Sequence, residues 1–100
     1  MQSRFVAVQF QPDKLEKAAG IMREVATALR QYAGFHEASL MADPNTGQGY
    51  IMTLWEAEAD MRASETSVYQ EAMRRLAATF ATEPQRTILD VVMHEHAQAS

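Results

Sequence analysis

The residues best equipped for chemistry are an indole, an imidazole and a guanidinium near the middle of the chain. Trp55 is the sole tryptophan. Its ring can stack on a flat aromatic substrate while its N–H donates one hydrogen bond, although filling a core is an equal reading of the same ring. His36 follows the break at Gly34. A histidine titrates near neutrality, so it can act as a general base; an exposed imidazole at a strand edge is the plainer alternative. Arg62 offers a fork of donors to a phenolate or carboxylate, or merely covers Glu58 four residues earlier on a helix. Tyr69, Met73 and Phe80 recur at spacings of four and seven, which turns them to one helix face as a pocket wall or as core.

His94-Glu95-His96 sets two imidazoles on one side of a strand, about 7 Å apart by strand rise, where they can bridge one metal ion. Two ligands near a chain end read better as an exposed tail, and no metal site is expected. Seven methionines in 100 residues suit an adaptable apolar pocket as well as an irregular core.

Composition removes several function classes. The chain has no cysteine, so a thiol nucleophile, a disulfide and a thiolate metal site are excluded. A net charge of −4, with no basic cluster larger than Arg74-Arg75, lacks the concentrated positive face that nucleic acid requires. Apolar residues at 47% and charged ones at 22% describe one soluble globular domain over 1–100, with its core at about 4–95 and a frayed tail at 96–100. No apolar run approaches the roughly 18 residues of a membrane helix, and Met1-Gln2-Ser3-Arg4 has no signal-peptide character, so a cytoplasmic protein without a membrane partner is expected.

The elements that must hold the candidate residues follow from periodicity. Arg4 to Phe10 is rich in β-branched and aromatic residues and stops at Pro12, a first strand. From Leu15 the apolar positions recur every three or four residues to Ala33, a helix with a capping box of Asp13 and Glu16 and a stop at Gly34. Phe35–Met41 and Tyr50–Trp55 read as a hairpin around the turn formers of 43–49. A second helical pattern runs from Met61 to Phe80, with a corner at Ser64–Ser67 and recapping by Ser67 and Gln70. A last strand spans about Arg86 to Glu95.

The order strand, helix, strand, strand, helix, strand predicts an α+β, ferredoxin-like four-stranded antiparallel sheet with both helices on one face. The sheet's other face is apolar too. Whichever parity packs on the helices, either Val6, Val8 and Phe10 or Phe5 and Ala7 must point away, and Leu89, Val91 and Met93 oppose Ile88 and Val92. A monomer would expose a patch on the order of several hundred square ångströms, which soluble monomers seldom tolerate. A homodimer joined sheet to sheet resolves this.

Phe5-Val6-Ala7-Val8, Ala33-Gly34-Phe35, Thr53-Leu54-Trp55-Glu56 and the corner from Ala63-Ser64-Glu65 to Tyr69 together resemble the antibiotic biosynthesis monooxygenase family of dimeric α+β barrels. The resemblance covers about residues 4 to 95. It implies a barrel of two sheets, with a pocket in each subunit between sheet and helices. Trp55 matches the tryptophan lining that pocket in cofactor-free, quinone-forming members. Those enzymes have an asparagine four residues earlier and a tyrosine six residues later, where this chain has Ile51 and Met61. Haem-degrading relatives use an asparagine on the first strand, a tryptophan on the second helix and a histidine beyond it. Here the first strand has no asparagine, Ser64 stands near the tryptophan position and Met73 or Arg74 near the histidine, so that machinery is not expected.

The resemblance therefore implies a monooxygenase without metal or bound flavin, acting on a small aromatic or polyketide-like substrate. His36, Trp55 and Arg62 are its catalytic candidates, and Ile51, Thr53, Met61, Tyr69, Met73 and Phe80 its pocket wall. The competing expectation is a non-catalytic dimeric protein, binding a small apolar ligand or serving in stress, which has the fold without the reaction.

Overall fold

The computed structural model describes residues 1–95 and 97; the expectations for the tail at 96 and 98–100, His96 among them, lie outside the described residues. Its sheet comprises β1 (Gln2–Gln9), β2 (Phe35–Ala42), β3 (Gln48–Trp55) and β4 (Gln85–Asp90). The strand order is β2-β3-β1-β4, with each neighbouring pair antiparallel. α1 (Leu15–Leu29) joins β1 to β2, while α2 (Glu58–Ala63) and α3 (Gln70–Leu76) lie between β3 and β4. This is the expected ferredoxin-like α+β arrangement. The strand bearing Trp55 is internal, flanked by β1 and β2.

Of the two parities open for β1, the one carrying Val6, Val8 and Phe10 faces the helices. These side chains join Ile51 and Trp55 from β3 and Ala18, Ile21, Met22, Val25 and Leu29 from α1 in one buried cluster, closed by Met61, Ala72 and Leu76. The α1 positions recur at the three-and-four spacing that defines one helical face, so burying that face holds the helix to the sheet.

The other face carries Phe5, Ala7, Tyr50, Met52 and Leu89, brought together by the registers Phe5↔Met52, Ala7↔Tyr50 and Ser3↔Leu89. Phe5 and Tyr50 stack with ring centroids 4.9 Å apart. Among the described residues, the exposed large apolar side chains are Met41, Tyr50 and Leu89 on this face, and Met1, Val92 and Met93 on the segments flanking it.

Beyond shifts of one to three residues at strand and helix ends, four expectations are revised. Asp13 and Glu16 form no capping box, because Asp13 falls in a 3₁₀ turn, Pro12–Lys14, and α1 begins after Lys14. Glu16 is then one position too early in the helix to reach back. Ser67 and Gln70 recap nothing either: the corner is a π-helical turn, Glu65–Tyr69, in which Tyr69 N–H donates to the Ser64 carbonyl at 3.0 Å, and the backbone stays helical into α3. No orphan donors arise there to be capped. α1 ends at Leu29, short of Ala33. β4 stops at Asp90, opposite Gln2 where β1 begins, and Val91 N–H donates to the Met1 carbonyl at 2.9 Å just past the ladder.

Gly34, after α1, and Gly47 both take a positive φ, +79° and +80°. Gly47 closes the β2–β3 hairpin at φ +80°, and a Cβ there would lie 2.1 Å from the Phe10 carbonyl oxygen. Asp43 supports the turn by accepting from the N–H of Asn45 at 2.8 Å. Gly47→Ala combines a left-handed φ with a backbone collision, and should lower stability by about 1–3 kcal/mol. Thermal unfolding checks this; an unchanged midpoint would show that the hairpin has room to move.

Candidate active-site cavity

Between the sheet and the helices lies a cavity of about 30 Å³ lined by Arg4, Val6, Met22, Val25, Ile51, Thr53, Tyr69, Ala72 and Met73. It has room for roughly one water molecule. Outside it, a groove of about 310 Å³ runs between α1 and α3, with Ala28 and Val68 among its apolar walls. Val25 and Ala72 line both spaces and so form the partition between them.

Arg4 is the unexpected member. It lies on β1 in the same parity as Val6 and Val8, which puts a guanidinium on the core face at only 5% exposure. A buried charge is tolerated only with partners. Its Nη2 donates to the Met61 carbonyl at 3.0 Å, to Ser64 Oγ at 3.3 Å and to Glu65 Oε1 at 3.3 Å. Its Nε is enclosed and has no acceptor. The Tyr69 ring lies 4.1 Å from Arg4 Cζ and 5.4 Å from Arg86 Cζ, and Arg86 Nη1 reaches the same Glu65 oxygen at 3.3 Å. Burial pulls the Arg4 guanidinium below its ordinary value, with the charge on Glu65 acting the other way.

Trp55, the last residue of β3, is fully buried. Its Nε1–H donates to Thr53 Oγ1 at 3.0 Å, and its ring meets Phe35 edge to face at 5.3 Å. The same face of β3 thus presents Ile51, Thr53 and Trp55, because alternate residues of a strand share a side.

The structure brings together Ile51, Thr53, Tyr69 and Met73 as cavity wall. Met61 is buried and contributes its carbonyl to Arg4. Phe80 lies elsewhere, bridged to Phe10 at the end of β1, with ring centroids 5.6 Å apart. His36 and Arg62 do not meet Trp55. His36 sits at the bulge of β2, half exposed, with Nε2 2.6 Å from Glu56 Oε2, and shares a recess with Met1, Glu37, Leu54 and His94 away from the cavity. That hydrogen bond holds the Glu56 carboxyl below its usual range. Arg62 is exposed and bonds Glu58 at 2.6 Å, one turn earlier. Among the described residues no group of three or more His, Cys, Asp or Glu is placed to hold a metal ion, and no helix is long and apolar enough to cross a membrane.

Comparison with known proteins agrees with this architecture. The family profile for antibiotic biosynthesis monooxygenases matches residues 1–76. A proposed antibiotic biosynthesis monooxygenase from Nitrosomonas europaea superposes with a TM-score of 0.76 at 18% identity, over 93% of this chain and 100% of that one. One from Caulobacter crescentus gives 0.77 at 17% identity, over 92% and 90%. One from Deinococcus radiodurans gives 0.75 at 15% identity, over 99% and 100%. A search of curated proteins finds no match. On the profile's match over three-quarters of its length, the chain belongs to the antibiotic biosynthesis monooxygenase family.

Proposed function

We propose that the protein is a homodimeric, cytoplasmic, cofactor-independent monooxygenase acting on a small aromatic or polyketide-like substrate. The observation that carries the reading is the cavity on the core face of β3, bounded by Thr53 and Tyr69, with Trp55 bonded to Thr53, beneath an apolar groove of suitable size for a fused-ring ligand. Family membership supplies the reaction class. An anthrone is a suitable substrate type. Loss of a proton gives a carbanion that can donate an electron to dioxygen; one oxygen atom becomes the new carbonyl, and the other leaves as water with the two methylene hydrogens. No external reductant is needed.

A specific observation favours the second reading, a ligand-binding protein without turnover. The Trp55 N–H is already engaged by Thr53, and the ionisable residues lining the cavity are Arg4 and Tyr69, neither a ready base. Aerobic incubation with dithranol, an anthrone, separates the two. Oxygen uptake above the buffer rate, falling about tenfold or more in Trp55→Phe, is expected of the enzyme. Uptake at the buffer rate with retained binding would leave the binding protein.

A further inference from the structure

Arg4, Arg86 and Glu65 form an unbalanced set. Two guanidiniums converge on one carboxylate oxygen, each at 3.3 Å, and both flank the Tyr69 ring. The pairing leaves one positive charge in excess. Arg86 is 45% exposed, whereas Arg4, at the cavity, is 5% exposed and its enclosed Nε has no acceptor. A donor left so carries a desolvation penalty unless something accepts from it.

The remaining walls, Val6, Met22, Val25, Ile51 and Met73, are apolar. A guanidinium in a space the size of one oxygen, next to a groove of about 310 Å³ with apolar walls, suits a flat ligand with one anionic oxygen. The acids at the outer groove do not oppose such a ligand, because Glu24 is paired with Arg75 and Glu71 with Arg74.

We propose that Arg4 receives the single negatively charged oxygen of an aromatic ligand, at a position that Glu65 guards until the ligand arrives. The inference rests on reading the cavity as a ligand pocket, and holds whether or not oxidation follows. Glu65 is the movable partner: it is a quarter exposed and begins the π-helical turn that also carries Tyr69. Such turns recur at functional sites. With the ring in the outer groove, the ligand's oxygen reaches past Val25 and Ala72 into the one-water space, takes over Arg4, and leaves Glu65 with Arg86. A charge-assisted bond to an enclosed guanidinium then selects anion over neutral.

The test is isothermal titration of the full chain with 2-naphthoate and with its neutral counterpart 2-naphthamide. Wild type is expected to bind naphthoate about tenfold or more tightly than the amide. Arg4→Gln should erase that preference while leaving amide affinity in place, a readout that a merely structural arginine would not move. Glu65→Gln removes a part-exposed competitor and should tighten naphthoate about two- to fivefold. Should Arg4→Gln fail to fold, the wild-type preference and the Glu65→Gln arm decide the matter. Equal affinities for the two probes, or a Glu65→Gln variant that binds naphthoate no better, would overturn the anion site while leaving the pocket standing. Binding of neither probe would overturn the pocket itself, and the anion site with it.

Discussion

At micromolar concentration the protein is expected to sediment at twice its chain mass of 11.2 kDa, and Tyr50→Asp combined with Leu89→Asp to return it to a single chain. The exposed large side chains motivate this. Among the described residues none lies on a helix; all sit on the outer sheet face or on the segments beside it. Tyr50 is 37% exposed and Leu89 47%, so a carboxylate at either position remains solvated in a folded monomer. In a sheet-to-sheet dimer the same carboxylate is enclosed without a partner, at a penalty of several kcal/mol per ion. Two such changes per chain, repeated by the two-fold symmetry, should weaken association by far more than about a hundredfold. Far-UV circular dichroism should stay native, which separates dissociation from unfolding. A wild-type chain already sedimenting at 11.2 kDa would leave the outer face without its proposed partner.

How much of this was legible in the sequence depends on whether a property was periodic or relational. The β1 alternation and the α1 spacing are periodic, and they place the sheet, its helices and two apolar faces with no further information. The same patterns could not say which β1 face meets the helices, since Phe5 and Ala7 are as apolar as Val6 and Val8; helix packing decides it. Cap signatures failed where neighbouring backbone altered the geometry. Pro12 draws Asp13 into a 3₁₀ turn, and the π turn keeps Ser67 inside a helical path, where it meets Tyr32 Oη at 2.9 Å instead of capping.

The site was read less well because its decisive contacts join residues far apart in the chain. Arg4 and Glu65 meet only after β1 lies beneath the α2–α3 corner. One signal was present: Arg4 shares the parity of Val6 and Val8, so a reading that buried that parity also buried a cation, and a cation so placed demands an acid. His36 and Arg62 drew attention as residue types, yet their partners are the nearby surface acids Glu56 and Glu58. Ile51, Thr53, Tyr69 and Met73 reached the cavity because strand parity and helical spacing together define its walls.

Replacing Trp55 by alanine is expected to cost about 3–5 kcal/mol, the range for removing a buried large aromatic. The ring is fully enclosed, so its loss opens a void beside Phe35, whose edge-to-face contact at 5.3 Å disappears as well. Thr53 also loses the donor to its hydroxyl oxygen at a position only 6% exposed. Against a typical net stability of about 5–15 kcal/mol, the variant should unfold at a much lower urea midpoint, read by circular dichroism at fixed protein concentration. Trp55→Phe keeps most of the volume and forfeits chiefly the hydrogen bond, so about 1–2 kcal/mol is expected there. The ordering matters for function. If alanine costs no more than phenylalanine, the indole fills space that the fold does not need, and the ring belongs to the ligand rather than to the core. If alanine costs several times more, as the enclosure and the Thr53 bond predict, Trp55 belongs to the core and holds Thr53, a wall of the Arg4 cavity, in place.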